Sequence, residues 1–397
     1  MDEYLPEAMR FGAGWILTIG SIFAANLYIA WHWLGLRISR RRLPKTLACL
    51  CAHAALALPS FFFFSRFFGG YSFAPYMQPL AYYTGFYLCM FFYVGGLFFF
   101  WDLGKGGLAI VRRLRGQGRM RAAHIDGFFP AIYSARVTLV IVLVCVLVSG
   151  LAFYIPQHLT VTHAKVTLDR RDCKLDSMRV VLISDTHMGD AIQEPQIDEI
   201  VRMANAETPD LIVFAGDIFD EGTPRRLKEY ASKSFAGLSA KHGVYYVLGN
   251  HDDYRGDTED VLSYFRAAGI RCLLDEVVLN ATAGFYMVGR KDRRSERAPL
   301  AKLEQYLTED YPVFLADHRP SISETAKPGS RVQLQLSGHT HDGQIVPAHL
   351  LMPWTRSYGL YKRGGLQLFI SSGVGEYAVP VRFGSPAEIV SMEVVFE

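Results

Sequence analysis

"VLISDTHMGD", residues 181–190, is the stretch on which the reading of this 397-residue chain turns. With Val180 before it, an apolar, β-rich run ends in polar residues, among them Asp185 and His187 one position apart. Such a run reads as a buried strand. Alternate residues just past its end can both reach one point at the sheet edge. Asp185 and His187 are therefore either ordinary loop-entry residues or two ligands of one centre, and the remainder of the second half has to separate these readings.

From residue 178 onward, strand and helix patterns alternate. "DLIVFAG" and "GVYYVLG" repeat the buried-strand pattern, and "EPQIDEIVRMANA" has apolar residues at helical spacing behind a first-turn proline. A second helix is expected from Thr223 and Pro224, and a third over residues 257–268. This alternation predicts an α/β sheet with helices on its faces. The strand ends then share a chemistry. "GDIFD" places Asp217 and Asp220, "GNHDD" places Asn250, His251 and Asp252, "YPVFLADHRP" places His318, and "RVQLQLSGHTHDGQ" places His339 and His341. Each piece alone is weak, since a lone GNH or GHxH is often a polar loop. Together they put oxygen and imidazole donors at five successive strand ends, where open α/β sheets bind ligands. Imidazole with carboxylate suits Mn, Fe or Zn better than Mg or Ca.

The first half differs. Residues 11–36, 46–64, 80–101 and 137–155 contain no Asp, Glu, Lys or Arg, and each approaches or exceeds the roughly 20 apolar residues that span a bilayer. Four transmembrane α-helices are expected. The connections at 37–45 and 102–136 carry most of the intervening Arg and Lys, which places them on the cytoplasmic side and the chain after about residue 155 outside. The organisation expected is a membrane region at 1–155, a linker at 156–177 and a catalytic domain at 178–397, in a multi-pass protein of the plasma (inner) membrane with that domain extracytoplasmic. A net charge of +3, with no basic stripe and no recognisable motif, argues against nucleic acid as a partner. Of the 6 cysteines, only Cys173 and Cys272 fall in the second half, where they could pair in an oxidising compartment.

The ordered set D-x-H, G-D-x-x-D, G-N-H-D, a lone His and G-H-x-H resembles the calcineurin-like metallophosphoesterase superfamily over roughly 178–397. "SGHTHDGQ" and "SSGVGEYAVPVRFGSPAEI", residues 371–389, resemble its YkuE/YaeI branch, some members of which carry a multi-span N-terminus. The resemblance implies a four-layer α/β/β/α sandwich with two mixed sheets, preceded here by the four spans. It implies two divalent metal ions: Asp185, His187 and His341 on one, Asn250, His318 and His339 on the other, and Asp217 bridging. It also implies that His251 stands beside the leaving group, oriented by Asp220. Asp342 departs from the Gly usual in that branch, and "DHRP" replaces the commoner segment around the lone His.

Arg290 and Arg382 are candidates for binding a second phosphate or a headgroup, and residues 346–365 for a lip at the membrane interface. The function expected is membrane-anchored hydrolysis of a phosphomonoester, phosphodiester or pyrophosphate, in a small-molecule or lipid-linked substrate. Two rivals stand beside it: a catalytically silent sensor or scaffold for phosphate ligands, and a transporter with a soluble domain. The transporter is disfavoured because the apolar runs hold no acidic or basic residue.

Overall fold

In β2 (Ser177–Ile183), Val180 and Leu182 enter one core while Val181 and Ile183 enter another. A strand buried on both faces needs apolar residues at every position, which is why this one reads as a continuous run. The computed structural model describes residues 57–60, 77–114, 135–189, 191–220, 222–252, 258–293, 295–344 and 356–397. They divide into two compact units: 57–60 with 83–150, and 77–82 with the described residues of 151–397.

The second unit contains two six-stranded mixed sheets. The first is ordered β1 (Thr160–Leu168), β12 (Glu388–Phe396), β2, β3 (Leu211–Phe214), β4 (Val244–Tyr246), β5 (Arg271–Cys272). The second is ordered β10 (Gly359–Arg363), β11 (Leu366–Ile370), β9 (Val332–Ser337), β8 (Val313–Ala316), β7 (Phe285–Gly289), β6 (Glu276–Asn280). Strands β2 to β5 run parallel, as do β7, β8, β9 and β11. Each parallel set therefore gathers its C-terminal ends at one edge.

Three cores hold the layers together. Val180, Val213, Phe314, Leu336, Phe369 and Met392 meet between the sheets. On the outer face of the first sheet, Ile183, Ile212, Phe214 and Tyr246 pack on α3 (Glu194–Ala206), α4 (Arg225–Phe235) and α5 (Thr258–Ala267) through Ile197, Ile200, Leu227, Phe235 and Phe265. The short α6 (Leu300–Glu304) covers Tyr286, Val288 and Leu315 on the outer face of the second sheet through Leu300 and Leu303. α3 starts where expected because Pro195 needs no amide partner in a first turn. Gln196 also reaches back to accept the Gln193 amide at 3.1 Å.

The first two expected spans, 11–36 and 46–64, lie outside the described residues apart from 57–60. The third falls in α1 (Met77–Leu114), which continues past Trp101 into the basic segment. Its stretch Pro79–Leu97 is, among the described residues, the one long and apolar enough to cross a membrane by length and composition. The fourth falls in α2 (Ala135–Tyr154), whose Leu143–Tyr154 is apolar but shorter than a full crossing. The four-span expectation thus has one described helix that meets the criterion. The possible cysteine pair does not form. Cys173 and Cys272 are free thiols, Cys173 in the core between the sheets and Cys272 packed on the helix side of the first sheet.

Candidate metal centre

The C-terminal ends of β2, β3, β4, β8 and β9 meet at one place. Asp185, His187, Asp217, His339 and His341 all have positive φ there, between 44° and 74°. For non-glycine residues this region costs about 1–3 kcal/mol each and persists only where the surroundings enforce it. Here the chain reverses sharply at each strand end and the side chains converge. Asp342 also has positive φ, 50°, at the position where the related branch has glycine; a short Asp side chain tolerates that conformation. Two glycines admit the backbone to the carboxylates. A Cβ on Gly249 would overlap Asp217 Oδ1, and one on Gly338 would overlap Ser184 Oγ and Asp185 Oδ2.

Two groups result. Asp185, His187 and His341 offer ligand atoms within 4.8 Å of one another, and so do Asp217, His318 and His339. Asp217 lies between them, its Oδ2 3.0 Å from His318 Nε2 and 3.9 Å from His187 Nε2. His341 Nε2 lies 3.0 Å from His187 Nε2 and 3.5 Å from Asp185 Oδ1. Two imidazole nitrogens at that separation need a proton or a cation between them. Asn250 is buried, and both its neighbours lie against the Asp217 carboxylate: Gly249 by close approach, and His251 by donating its amide to Oδ1 at 2.7 Å.

The imidazoles are oriented from behind. His318 donates Nδ1–H to the Ala215 carbonyl at 2.7 Å, which turns Nε2 toward Asp217. His187 Nδ1 donates to Asp220 Oδ1 at 2.6 Å, which turns Nε2 toward His341. A ligating histidine is characteristically held by such a bond on its other nitrogen. The electrostatics are those of a site short of positive charge. Burial raises the Asp217 carboxyl, but the rings of His318, His251 and His187 overcome this and hold it well below the usual range. Burial dominates at Asp185, whose carboxyl is raised. Burial opposes the charged form of His318 and His187, yet Asp217 and Asp220 respectively lift them to about 10 and about 9. Burial and the neighbouring His318 push His339 down to about 3, and burial with His187 lowers His341. Divalent cations fit this donor set, because they would replace the protons that now compensate buried carboxylates.

Residues 178–343 match the calcineurin-like phosphoesterase family. An uncharacterized metallophosphoesterase of Aquifex aeolicus is 30% identical over 224 residues, 54% of this chain and 83% of the relative. The chain belongs to the metallophosphoesterase family. YkuE of Bacillus subtilis, also an uncharacterized metallophosphoesterase, is 29% identical over 232 residues, covering 54% of this chain and 78% of that protein. A Bos taurus relative called transmembrane protein with metallophosphoesterase domain is 29% identical over 257 residues, 59% of this chain and 57% of the relative. The chain spans about three-fifths of the length of the first relatives it matches, 62% of one from Helicobacter pylori and 57% of the bovine one.

Asp220, expected to orient His251, has its Oδ1 on His187 Nδ1 at 2.6 Å, because the strained turn at 185–187 brings that ring to the β3 end. Two further expectations need correction. Arg382, offered as a substrate contact, is fully buried; it binds Glu376 Oε1 at 3.0 Å and the carbonyls of Ser372, Gly375 and Pro386. Arg290 is 1% exposed and faces Asp275, Glu324 and the Ala298 carbonyl. A buried guanidinium needs such partners, which leaves neither arginine open to a substrate. The expected lip lies outside the described residues over 346–355.

Two residues support the centre in roles the sequence did not reveal. Asp252 accepts the amides of Asp217, Ile218, Phe219 and Gly249 at 2.6–3.1 Å and so joins the ends of β3 and β4. The signal was its place in "GNHD". Tyr377 packs its ring on His251 and His187, with centroids 4.4 and 5.4 Å apart. It lies in the segment 371–389, between β11 and β12, which the sequence marked only as a whole and without a role for this residue.

Proposed function

We propose that this chain is a membrane-anchored, dinuclear-metal phosphoesterase. The observation that carries the reading is the buried Asp217 carboxylate, which groups with His318 and His339 and also approaches His187 of the group Asp185, His187 and His341 at 3.9 Å. Asp185, His187 and His341 would hold one ion, Asn250, His318 and His339 the other, and Asp217 both. The nitrogen-rich donor set favours Mn, Fe or Zn. Ions bound there would supply Lewis acidity to the phosphoryl oxygens and to the attacking water.

The chain's own groups do the rest. Asp217 sets the spacing of the two triads, and Asp252 holds its backbone. Asp220 and the Ala215 carbonyl keep the Nε2 atoms of His187 and His318 aimed inward. His251, whose ring centroid lies 5.2 Å from that of His187, would give a proton to the departing oxygen.

Anchoring rests on the uncharged runs of the first half, on α1, and on resemblance to the bovine protein named as transmembrane. The proposed organisation is a four-span region to about residue 155, a linker, and a catalytic domain from 178, outside the cytoplasm by the placement of basic loops. A membrane-tethered site favours a lipid-linked or envelope-derived phosphate, since tethering raises its effective concentration.

The test is hydrolysis by the full chain in detergent, with and without Mn, of a monoester, a diester and lipid-linked phosphates, beside Asp217→Asn. Turnover that needs metal and falls more than about 100-fold in the variant is the expected result, because Asp217 serves both triads. Two bound metals with no turnover of any substrate would favour a phosphate-binding sensor instead.

A further inference from the structure

We infer that Tyr377 is a positioning residue that fixes the imidazole of His251; this rests on the proposed acid role of His251. Resemblance assigned that task to Asp220, whose carboxylate is engaged by His187 at 2.6 Å. The His251 ring meets two other rings that also meet each other, with Tyr377 and His187 centroids 5.4 Å apart. Tyr377 stands 4.4 Å away at 36°, and His187 stands 5.2 Å away at 70°. His187 is itself held by Asp220, and Tyr377 is the wall that the chain after β11 sets against both imidazoles.

The wall is rigid for local reasons. The Tyr377 amide donates to Gln344 Oε1 at 3.0 Å, and Gln344 Nε2 donates back to the Tyr377 carbonyl at 3.1 Å and to the Val379 carbonyl at 2.9 Å. The Val379 amide also donates to the Tyr377 carbonyl at 2.8 Å, closing a three-residue turn about Ala378, whose φ is 66°. That φ is rare and strained for a non-glycine residue. Just before Tyr377, Glu376 is tied to Arg382. A chain pinned by an amide clamp, a strained turn and a buried ion pair presents its aromatic ring in one place. Packed aromatic faces contribute orientation as well as area. A proton donor is effective only when held within hydrogen-bond reach of the departing atom.

The experiment compares the full-length metal-loaded protein with Tyr377→Leu, Tyr377→Phe and His251→Ala. The substrates are phosphate esters whose leaving groups run from p-nitrophenol to an unactivated alkyl alcohol. Metal content is measured for each variant. Tyr377→Leu is expected to keep both metals and KM while kcat for the alkyl ester falls roughly 10- to 100-fold, part of the ~10²–10⁴ that a placed acid supplies. The loss for the nitrophenyl ester should be several-fold smaller, because that leaving group needs little protonation. Tyr377→Phe retains the ring and should recover most of the lost rate. Equal losses on both esters, or Phe as damaging as Leu, would overturn the positioning role. A His251→Ala variant showing leaving-group dependence that Tyr377→Leu lacks would overturn the positioning role alone. A His251→Ala variant without that dependence would remove the acid role, and the positioning role with it.

Discussion

Replacing Arg382 with Met would leave the Glu376 carboxylate and three carbonyls in a dry pocket without their donor. Arg382 and Glu376 side chains are both 0% exposed, and the pair sits at 3.0 Å. Removing one partner of a buried ion pair costs about 3–5 kcal/mol, chiefly because the remaining charge is uncompensated. For a domain of this size, each kcal/mol lowers Tm by about 2–4 °C, so Arg382→Met should melt roughly 10 °C lower. The loss should depend on pH. Burial already raises the Glu376 carboxyl against the pull of Arg382, and without the arginine it rises further. A carboxyl whose folded pKa exceeds its unfolded value of about 4.3 destabilises the fold increasingly as pH climbs through that window. The deficit should therefore be larger at about pH 8 than at about pH 5.5, and Glu376→Gln in the same background should recover part of it. Differential scanning calorimetry of the full chain in detergent reads all three values. A variant that melts within about 2 °C of the parent but shows a raised KM would refute this reasoning and return Arg382 to the substrate site.

Three further outcomes follow from the metal centre. Gly338→Ala puts a methyl group into Ser184 and Asp185, so it should cost about 1–3 kcal/mol by overpacking and lower metal content by elemental analysis. Asp220→Asn weakens the acceptor that orients His187, and metal affinity by competition with a chelator should fall about 10- to 100-fold with the fold intact. With His187 near 9 and His318 near 10, both rings carry protons at neutral pH in the metal-free site. Metal uptake at about pH 7 should release about two protons in weakly buffered calorimetry, and affinity should weaken as pH falls. Uptake without proton release would contradict the ring assignments.

The alternation of strand and helix was legible because each buried strand needs uninterrupted apolar residues and each helix an apolar stripe. α3 and α5 fall within a residue of where their patterns placed them. The donor residues were legible because ligands must be Asp, Asn or His, and strand ends are few. The carboxylate–imidazole pairings were not. Asp220 and His187 are 33 positions apart, and nothing local says which ring Asp220 will meet. Arg290 and Arg382 read as candidates for binding a phosphate or a headgroup since charge alone carries no sign of burial.

The sequence by itself determined the α/β pattern, the set of candidate donor side chains and the contrast between an apolar first half and a second half of alternating strands and helices. These are properties of residue type and spacing along one segment. Only the tertiary structure decided which strand ends touch, that Asp217 faces the rings of both His318 and His187, that Arg382 is a buried brace, and that Tyr377 packs on His251. Those facts depend on the packing of two sheets and on strained turns at their edges, where residues 154 positions apart, such as His187 and His341, come within hydrogen-bond distance.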